Sequence, residues 1–404
     1  MIKSLKKSIY LDYAATTPID SKVLKAMLPF LREKFGNPSS LYKKGMKAKA
    51  AIDNARSQIA SLIGARPGEI IFSAGGTESI NLAIFGVARE HKSRTKKFGH
   101  IITSKIEHHA VLHSVQALEK EGFEVTYLDV DKQGFIDIAG LEKSIRPNTI
   151  LVSVMYANNE IGTIEPIAQI GKLIKRINTN READSHPRIL FHTDACQAAS
   201  SLNLNVNDLG VDLMSLNGSK IYGPKQVGLL YVRSGVKLHP LIFGGEQERG
   251  LRSGTENVAG IIGLAEALKI SEAGKVKDSK RLGQLRDYFL KMIKKSIRGI
   301  VLNGPSDGVN RLPNNINLSI KGVEGEALML YLDAQGICVS TGSACTSQSV
   351  EPSHVLMALG KNAKEAQSAV RITLGRQTTK AEIGRTLKAV TKIVGQLRKV
   401  TNIN

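Results

Sequence analysis

Apolar and polar positions along this chain alternate between two periods. Over residues 47–63, Ala51, Ile52, Ala55, Ile59, Leu62 and Ile63 recur at three- and four-residue steps, the stripe of an amphipathic helix. Short apolar runs follow: EIIF at 69–72, HIIT at 100–103, EVTYL at 124–128, ILVSV at 150–154, ILFHT at 189–193, VDLMSL at 211–216 and GLLYV at 228–232. Each has the length and β-branched content of a buried strand. Helical stretches separate many of them, including 110–121 and 167–177. The alternation predicts an α/β unit with a mostly parallel sheet flanked by helices. Ligands of such sheets bind beyond the carboxyl ends of the strands, so the polar residues just past each run are the first candidates. The polar insert NTNREADSHPR at 178–188 reads as a surface loop. After about Asn257 the pattern changes to a long helical stretch through 282–297, an NINLSI strand at 315–320 and further helices. That change predicts a second, smaller α+β domain.

Composition narrows the class. With 404 residues, 42% of them hydrophobic, the chain can bury a large core and reads as a soluble globular enzyme of two domains. No apolar stretch at the start is long enough for a secretory signal, and no later run approaches a membrane span. A cytoplasmic protein is expected. Three cysteines, Cys196, Cys338 and Cys345, cannot all pair within one chain and none lies in a CxxC, which argues against a disulfide framework or a Cys-rich zinc site. The balance of 56 Lys+Arg against 36 Asp+Glu gives +20. These charges are spread along the chain without an aromatic-rich nucleic-acid signature, so they read as a basic surface and direct nucleic-acid binding is not expected.

Polar clusters fall directly after the strand-like runs. SAGGTES at 73–79 leads into a helix, and glycines with a hydroxyl at a helix N-terminus offer free N–H groups to a phosphate. A histidine pair, His108 and His109, follows HIIT without acidic or cysteine partners at metal-ligand spacing. Asp194 ends an apolar strand, where a buried carboxylate needs a cationic or N–H partner such as a protonated heterocyclic nitrogen or an arginine. Lys220 lies in a turn marked by Asn217–Gly218 and Gly223–Pro224, where a lysine can form an imine with an aldehyde cofactor. Together these are the parts of a pyridoxal 5'-phosphate site. Cys345 sits in VSTGSACTSQSVEPS at 339–353, a run of small polar residues that reads, taken alone, as an ordinary loop with a free cysteine; beside the other clusters it reads as a mobile, reactive thiol.

The segments YLDYAATTP, FGNPSS, GGTES, EHHAV, NNEIG, TDACQ, GSKIYGPK, RSGTEN, STGSACTS and RITLGR occur in the order found in cysteine desulfurases. The chain resembles the NifS/IscS-like group of the class V aminotransferases from Tyr10 to about Arg398. The resemblance implies a fold-type I pyridoxal phosphate-dependent transferase. Its large domain would span 16–262 with a seven-stranded, mostly parallel sheet, and its small α+β domain 1–15 and 263–404. It also implies the chemistry: L-cysteine becomes L-alanine and leaves a persulfide on Cys345.

By the same resemblance, Lys220 would hold the cofactor, Asp194 would pair with its ring nitrogen and His108 would stack on the ring, with His109 structural. Gln197 would bond the phenolic oxygen. Thr77 and Gly76 would bind the phosphate, helped by Ser219 and by Thr255 from the second subunit of a homodimer. Asn159, beside the cofactor, and Arg371 would hold the substrate carboxylate. The sulfur acceptor would be an iron–sulfur scaffold or a tRNA-thiolation protein. Some relatives carry a longer C-terminal tail that docks such a scaffold; here the last residue is Asn404, which leaves the acceptor open. Two positions depart from the pattern: Ser219 stands where histidine is usual before the lysine, and Asn217 replaces a common serine. Cys196 and Cys338 read as core residues. A selenocysteine lyase or dual-substrate enzyme is the nearest alternative, and an inactive sulfur-relay or RNA-binding scaffold a distant one.

Overall fold

The computed structural model describes residues 8–183, 186–341 and 351–400. In chain order the strands are β1 (Ile9–Tyr10), β2 (Ile70–Ser73), β3 (His100–Ser104), β4 (Glu124–Leu128), β5 (Thr149–Ser153) and β6 (Leu190–Asp194). They continue with β7 (Leu213–Asn217), β8 (Gly228–Val232), β9 (Ile300–Leu302), β10 (Asn315–Ile320), β11 (Ile337–Cys338) and β12 (Ala369–Thr373). Every apolar run expected as a strand in the first 232 residues forms one. They assemble into a single seven-stranded sheet in the order β2-β8-β7-β6-β5-β3-β4. All neighbours pair in parallel except those of β8, which runs antiparallel to both β2 and β7. Because β2 lies two antiparallel steps from β7, the ends of β2, β3, β5, β6 and β7 point the same way, and the residues after them face one another.

The sheet is apolar on both faces because helices cover both. Ile70, Phe72, Ile102, Val152, Phe191, Met214 and Leu229 pack on one side with Ile52, Ile59 and Ile63 of the helix Lys43–Ile63. Ile71, Ile101, Leu151, Leu213 and Leu230 pack on the other with Ile80, Ile84 and Val87 of the helix Gly76–Thr95. Removing these side chains from water is the main drive for the layered arrangement. A further core, built on Ile316, Leu318, Ile372, Phe289, Ile293 and Ile393, surrounds the antiparallel sheet β12-β10-β9. The short parallel pair β1–β11 joins this core through Ile9 and Ile337.

Three readings need correction. The insert at 178–188 is not all loop, because the helix Ile167–Ala183 runs into it. Asn178 is buried and bridges both backbone groups of Ile189, and the buried Arg181 guanidinium donates to the carbonyls of Pro187, Arg146, Pro147 and Thr149. Side chains that look solvated in sequence thus satisfy strand ends. The long helical stretch expected through 282–297 starts far earlier, within a single helix of 39 residues, Val258–Ser296. Asn257 caps it by accepting from Gly260 N. Cys338, expected in the core, is only half-buried in β11.

Candidate active site

The strand ends converge on a cavity of about 220 Å³ lined by Gly76, Thr77, His108, Asn159, Asp194, Gln197, Lys220 and Arg371. Eight of the eleven expected site residues therefore share one space, although they come from parts of the sequence up to 295 residues apart (Gly76 to Arg371). Ser219 does not line it; its hydroxyl donates to Asn217 Oδ1 and its carbonyl accepts from Thr17. Thr255 is exposed and lines a different cavity with Ser73, Glu248 and Arg252. Cys345 lies outside the described residues, as does the core of the loop expected at 339–353.

Each residue is delivered by local geometry. Gly75 adopts φ 141°, open to glycine alone, and turns the chain from β2 into the helix Gly76–Thr95, so that the helix N-terminus opens on the cavity. A Cβ on Gly228 would meet the Gly75 backbone at 2.7 Å, which is why this turn can sit against β8. His108 is the N-cap of the helix His109–Glu121 and its Nδ1 accepts from Ala110 N at 3.1 Å. That bond places the proton of a neutral ring on Nε2. Asp194, the last residue of β6, is buried and its carboxylate accepts from Cys196 N at 2.9 Å. Lys220 closes a short 3-10 turn after β7, and its Nζ donates to the carbonyls of Ala14 at 2.9 Å and Ala15 at 2.6 Å. Gln197 Nε2 donates to the same Ala14 carbonyl at 3.0 Å.

The electrostatics favour a neutral imidazole over a paired charge. Burial lowers the His108 pKa; the Asp194 carboxylate opposes this, and Lys220 reinforces it. Arg371, from β12, is buried; its Nη2 donates to Asp12 Oδ1 at 2.8 Å and its Nη1 to Asn159 O at 3.2 Å. Its Nε has no acceptor among the described residues. A buried guanidinium with an unused donor beside a cavity is a ready carboxylate site.

Sequence reading did not assign Asp12, Ala14, Ala15 or Met155 to the site. The first three lie in YLDYAATTP, and their partners sit 183 residues or more away. Cys196 also lines the cavity, and burial pushes its thiol well above the ordinary range. Among the described residues no group of His, Cys, Asp and Glu could hold a metal ion.

The cavity's parts fit pyridoxal 5'-phosphate: a helix N-terminus without a Cβ in the way, a buried carboxylate, an imidazole and an amine. Comparison with known proteins agrees. The Aminotransferase class-V family model matches residues 9–386. Cysteine desulfurase IscS of Dictyoglomus turgidum is 51% identical over 397 residues, covering 98% of this chain and 97% of that one. Human cysteine desulfurase is 46% identical over 398 residues, covering 98% and 83%. Among solved structures, a NifS-like protein superposes with a TM-score of 0.88 at 37% identity, covering 96% of this chain and 100% of that one. SspA in complex with cysteine gives 0.78 at 39% identity, covering 91% and 99%. The chain belongs to the class-V aminotransferases and, within them, to the cysteine desulfurases of the IscS group.

Proposed function

We propose that this protein converts L-cysteine to L-alanine with pyridoxal 5'-phosphate and captures the sulfur as a persulfide on Cys345. The convergence of Lys220, Asp194, His108 and Arg371 on one cavity carries the reading. The cofactor supplies an electron sink for cleavage of the carbon–sulfur bond. Lys220 holds it covalently and Asp194 keeps its ring nitrogen protonated. Thr77 and the N–H groups at the start of the helix Gly76–Thr95 hold the phosphate, with a partner subunit's Thr255 in support. Gln197 faces the phenolic oxygen. The His108 ring covers the cofactor and exchanges a proton at Nε2, because Nδ1 is occupied by Ala110 N. Arg371 and Asn159 orient the substrate carboxylate. The atoms balance without an external oxidant: L-cysteine and the Cys345 thiol give L-alanine and one enzyme persulfide.

The working enzyme is a homodimer in the cytoplasm, with its large domain over 16–262 and its small one over 1–15 and 263–404. Self-association is supported by a run of exposed apolar side chains, Leu24, Leu28 and Leu31 along the helix Ser21–Arg32, then Phe35, Leu41, Tyr42 and Met46. No described helix is long and apolar enough to cross a membrane. A protein acceptor, of the iron–sulfur scaffold or tRNA-thiolation kind, takes the sulfur from Cys345.

The test is alanine release from L-cysteine by the purified protein, with mass detection of the persulfide. Stoichiometric alanine and a persulfide confined to Cys345 are expected. Alanine formation that persists unchanged in Cys345→Ser would sink the assignment of the nucleophile.

A further inference from the structure

Residues 12–17 form a strap that touches four of the site residues at once. Asp12 Oδ1 accepts from Arg371, the Ala14 carbonyl from both Lys220 and Gln197, the Ala15 carbonyl from Lys220, and the Ser219 carbonyl accepts from Thr17. The strap is itself pinned from outside the cavity. Ala14 N donates to Thr373 Oγ1 at 2.9 Å, Thr373 N to the Leu11 carbonyl at 2.8 Å, and the Tyr10 hydroxyl to the carbonyls of Asp12 and Thr16. Asp12 therefore cannot drift relative to β12, the strand that carries Arg371.

We propose that Asp12 is a positioning residue for substrate recognition: its carboxylate fixes one arm of the Arg371 guanidinium so that the remaining donors meet a substrate α-carboxylate. This rests on the reading of Arg371 as the carboxylate holder. The Arg371 side chain is 5% exposed and that of Asp12 17%, so the pair is held largely out of water. One Nη is tied to Asp12 and the other to the Asn159 carbonyl, while Nε–H lacks an acceptor among the described residues. The planar fork is thus oriented before any ligand arrives, and a fork already oriented loses less freedom on binding. Glu160, whose carboxyl group also feels the Arg371 charge, does not take this role. It accepts from Ser353 Oγ at 2.6 Å, and burial raises its pKa toward the neutral form.

A merely structural role for Asp12 would weaken every ligand alike; a positioning role weakens only those with a carboxylate. The holoenzyme's affinity for L-alanine and for ethylamine, which is L-alanine without its carboxylate, separates the two by calorimetry. Asp12→Ala and Asp12→Ser should each weaken L-alanine roughly tenfold, as expected for a lost charge-assisted hydrogen bond. Ethylamine should stay within about twofold of wild type, since it makes no use of the fork. Asp12→Asn, which keeps an acceptor oxygen, should recover most of the loss. In turnover, KM for L-cysteine should rise by the same factor with kcat far less changed. Equal weakening of both ligands overturns the proposal, and so does L-alanine binding in Asp12→Ala and Asp12→Ser that is unchanged or tighter. Wild-type protein that binds no L-alanine and releases none from L-cysteine would instead overturn the functional reading on which this one rests.

Discussion

Lys220 Nζ lies 2.6 Å from the carbonyl oxygen of Ala15, across 205 residues of chain. With the Ala14 carbonyl at 2.9 Å, this gives the ammonium group two backbone acceptors inside the cavity that also contains His108 and Asp194. Both carbonyls belong to the strap of residues 12–17, which also holds Arg371 through Asp12, so the amine and the guanidinium are tied to one segment.

Lys220→Ala should leave the fold intact and remove both the yellow colour of the covalently held cofactor and the release of alanine. Lys220→Arg keeps donors for the Ala14 and Ala15 carbonyls yet cannot form the imine, because a guanidinium stays protonated. It should match wild type in thermal stability within about 1 kcal/mol while remaining inactive. Absorption spectra and thermal melts check this together. An active Lys220→Arg would remove the lysine from the covalent role.

Two buried carboxyl groups, Glu107 and Glu165, predict how stability changes with pH. Burial pushes Glu107 up to about 8 and Glu165 up to about 8, against the bonds that Ser104 and Met155 make to the first and Ile136 to the second. The folded state therefore keeps protons that the unfolded chain releases above its ordinary value of 4.5. Stability should fall as pH rises from 4.5 toward about 8 and level off beyond. Glu107 Oε2 and Glu165 Oε1 have no partner among the described residues, so a glutamine amide can stand in either place without losing a bond. Glu107→Gln and Glu165→Gln should gain on wild type steadily across that window in urea unfolding. Stability differences that stay constant with pH would show that these groups ionise as they do in water.

How much of this was legible in the sequence follows from the range of each interaction. The seven strands of the main sheet could be read because an apolar run such as ILVSV reports its own burial, and Thr77, His108, Asp194 and Lys220 stand at or just past strand ends, where the fold class places ligands; Arg371, inside β12, and Asn159 came from the resemblance alone. Asp12 and Ala14 could not be read that way, since their roles are set by Arg371, Lys220 and Gln197 far along the chain. Arg181 misled for the related reason that four backbone carbonyls, invisible in a residue string, satisfy its charge. Cys345 stood out only beside the other clusters and the resemblance, and it lies outside the described residues.

Glu248 offers a test of stability away from the chemistry. Its carboxylate takes both arms of Arg56, at 2.6 and 2.9 Å, and the Phe72 N–H at 2.9 Å, with its side chain 3% exposed. Its backbone sits at φ 47°, a left-handed conformation that a side chain rarely adopts without such anchoring. Glu248→Ala leaves the nearly buried Arg56 guanidinium beside β2 without a carboxylate, holding the Ile70 carbonyl, and should cost about 3 kcal/mol, since breaking one half of a buried pair is far worse than losing a surface one. Equilibrium unfolding reads the loss. A cost below about 1 kcal/mol would mean that water reaches Arg56 freely.

The contact between Gly76 and Cys196 separates two explanations of why glycine stands at the helix start. A Cβ at Gly76 would meet Cys196 Sγ at 2.8 Å and Asn217 Cβ at 3.4 Å. If the thiol is the obstacle, Gly76→Ala should push the helix N-terminus off its position and weaken cofactor binding roughly tenfold, the scale of a lost backbone bond to a charged group. Cys196→Ala alone should leave turnover within about twofold, because burial holds this thiol well above the pKa at which it could act as a nucleophile. The double variant should then recover most of the cofactor affinity, since truncating the thiol clears the nearest contact and the pair sits close enough for its effects to couple. If the methyl group instead fills space that the phosphate needs, the double variant will be as weak as Gly76→Ala. A Cys196→Ala enzyme that binds cofactor normally yet has lost turnover would give the second cysteine a part in the chemistry after all.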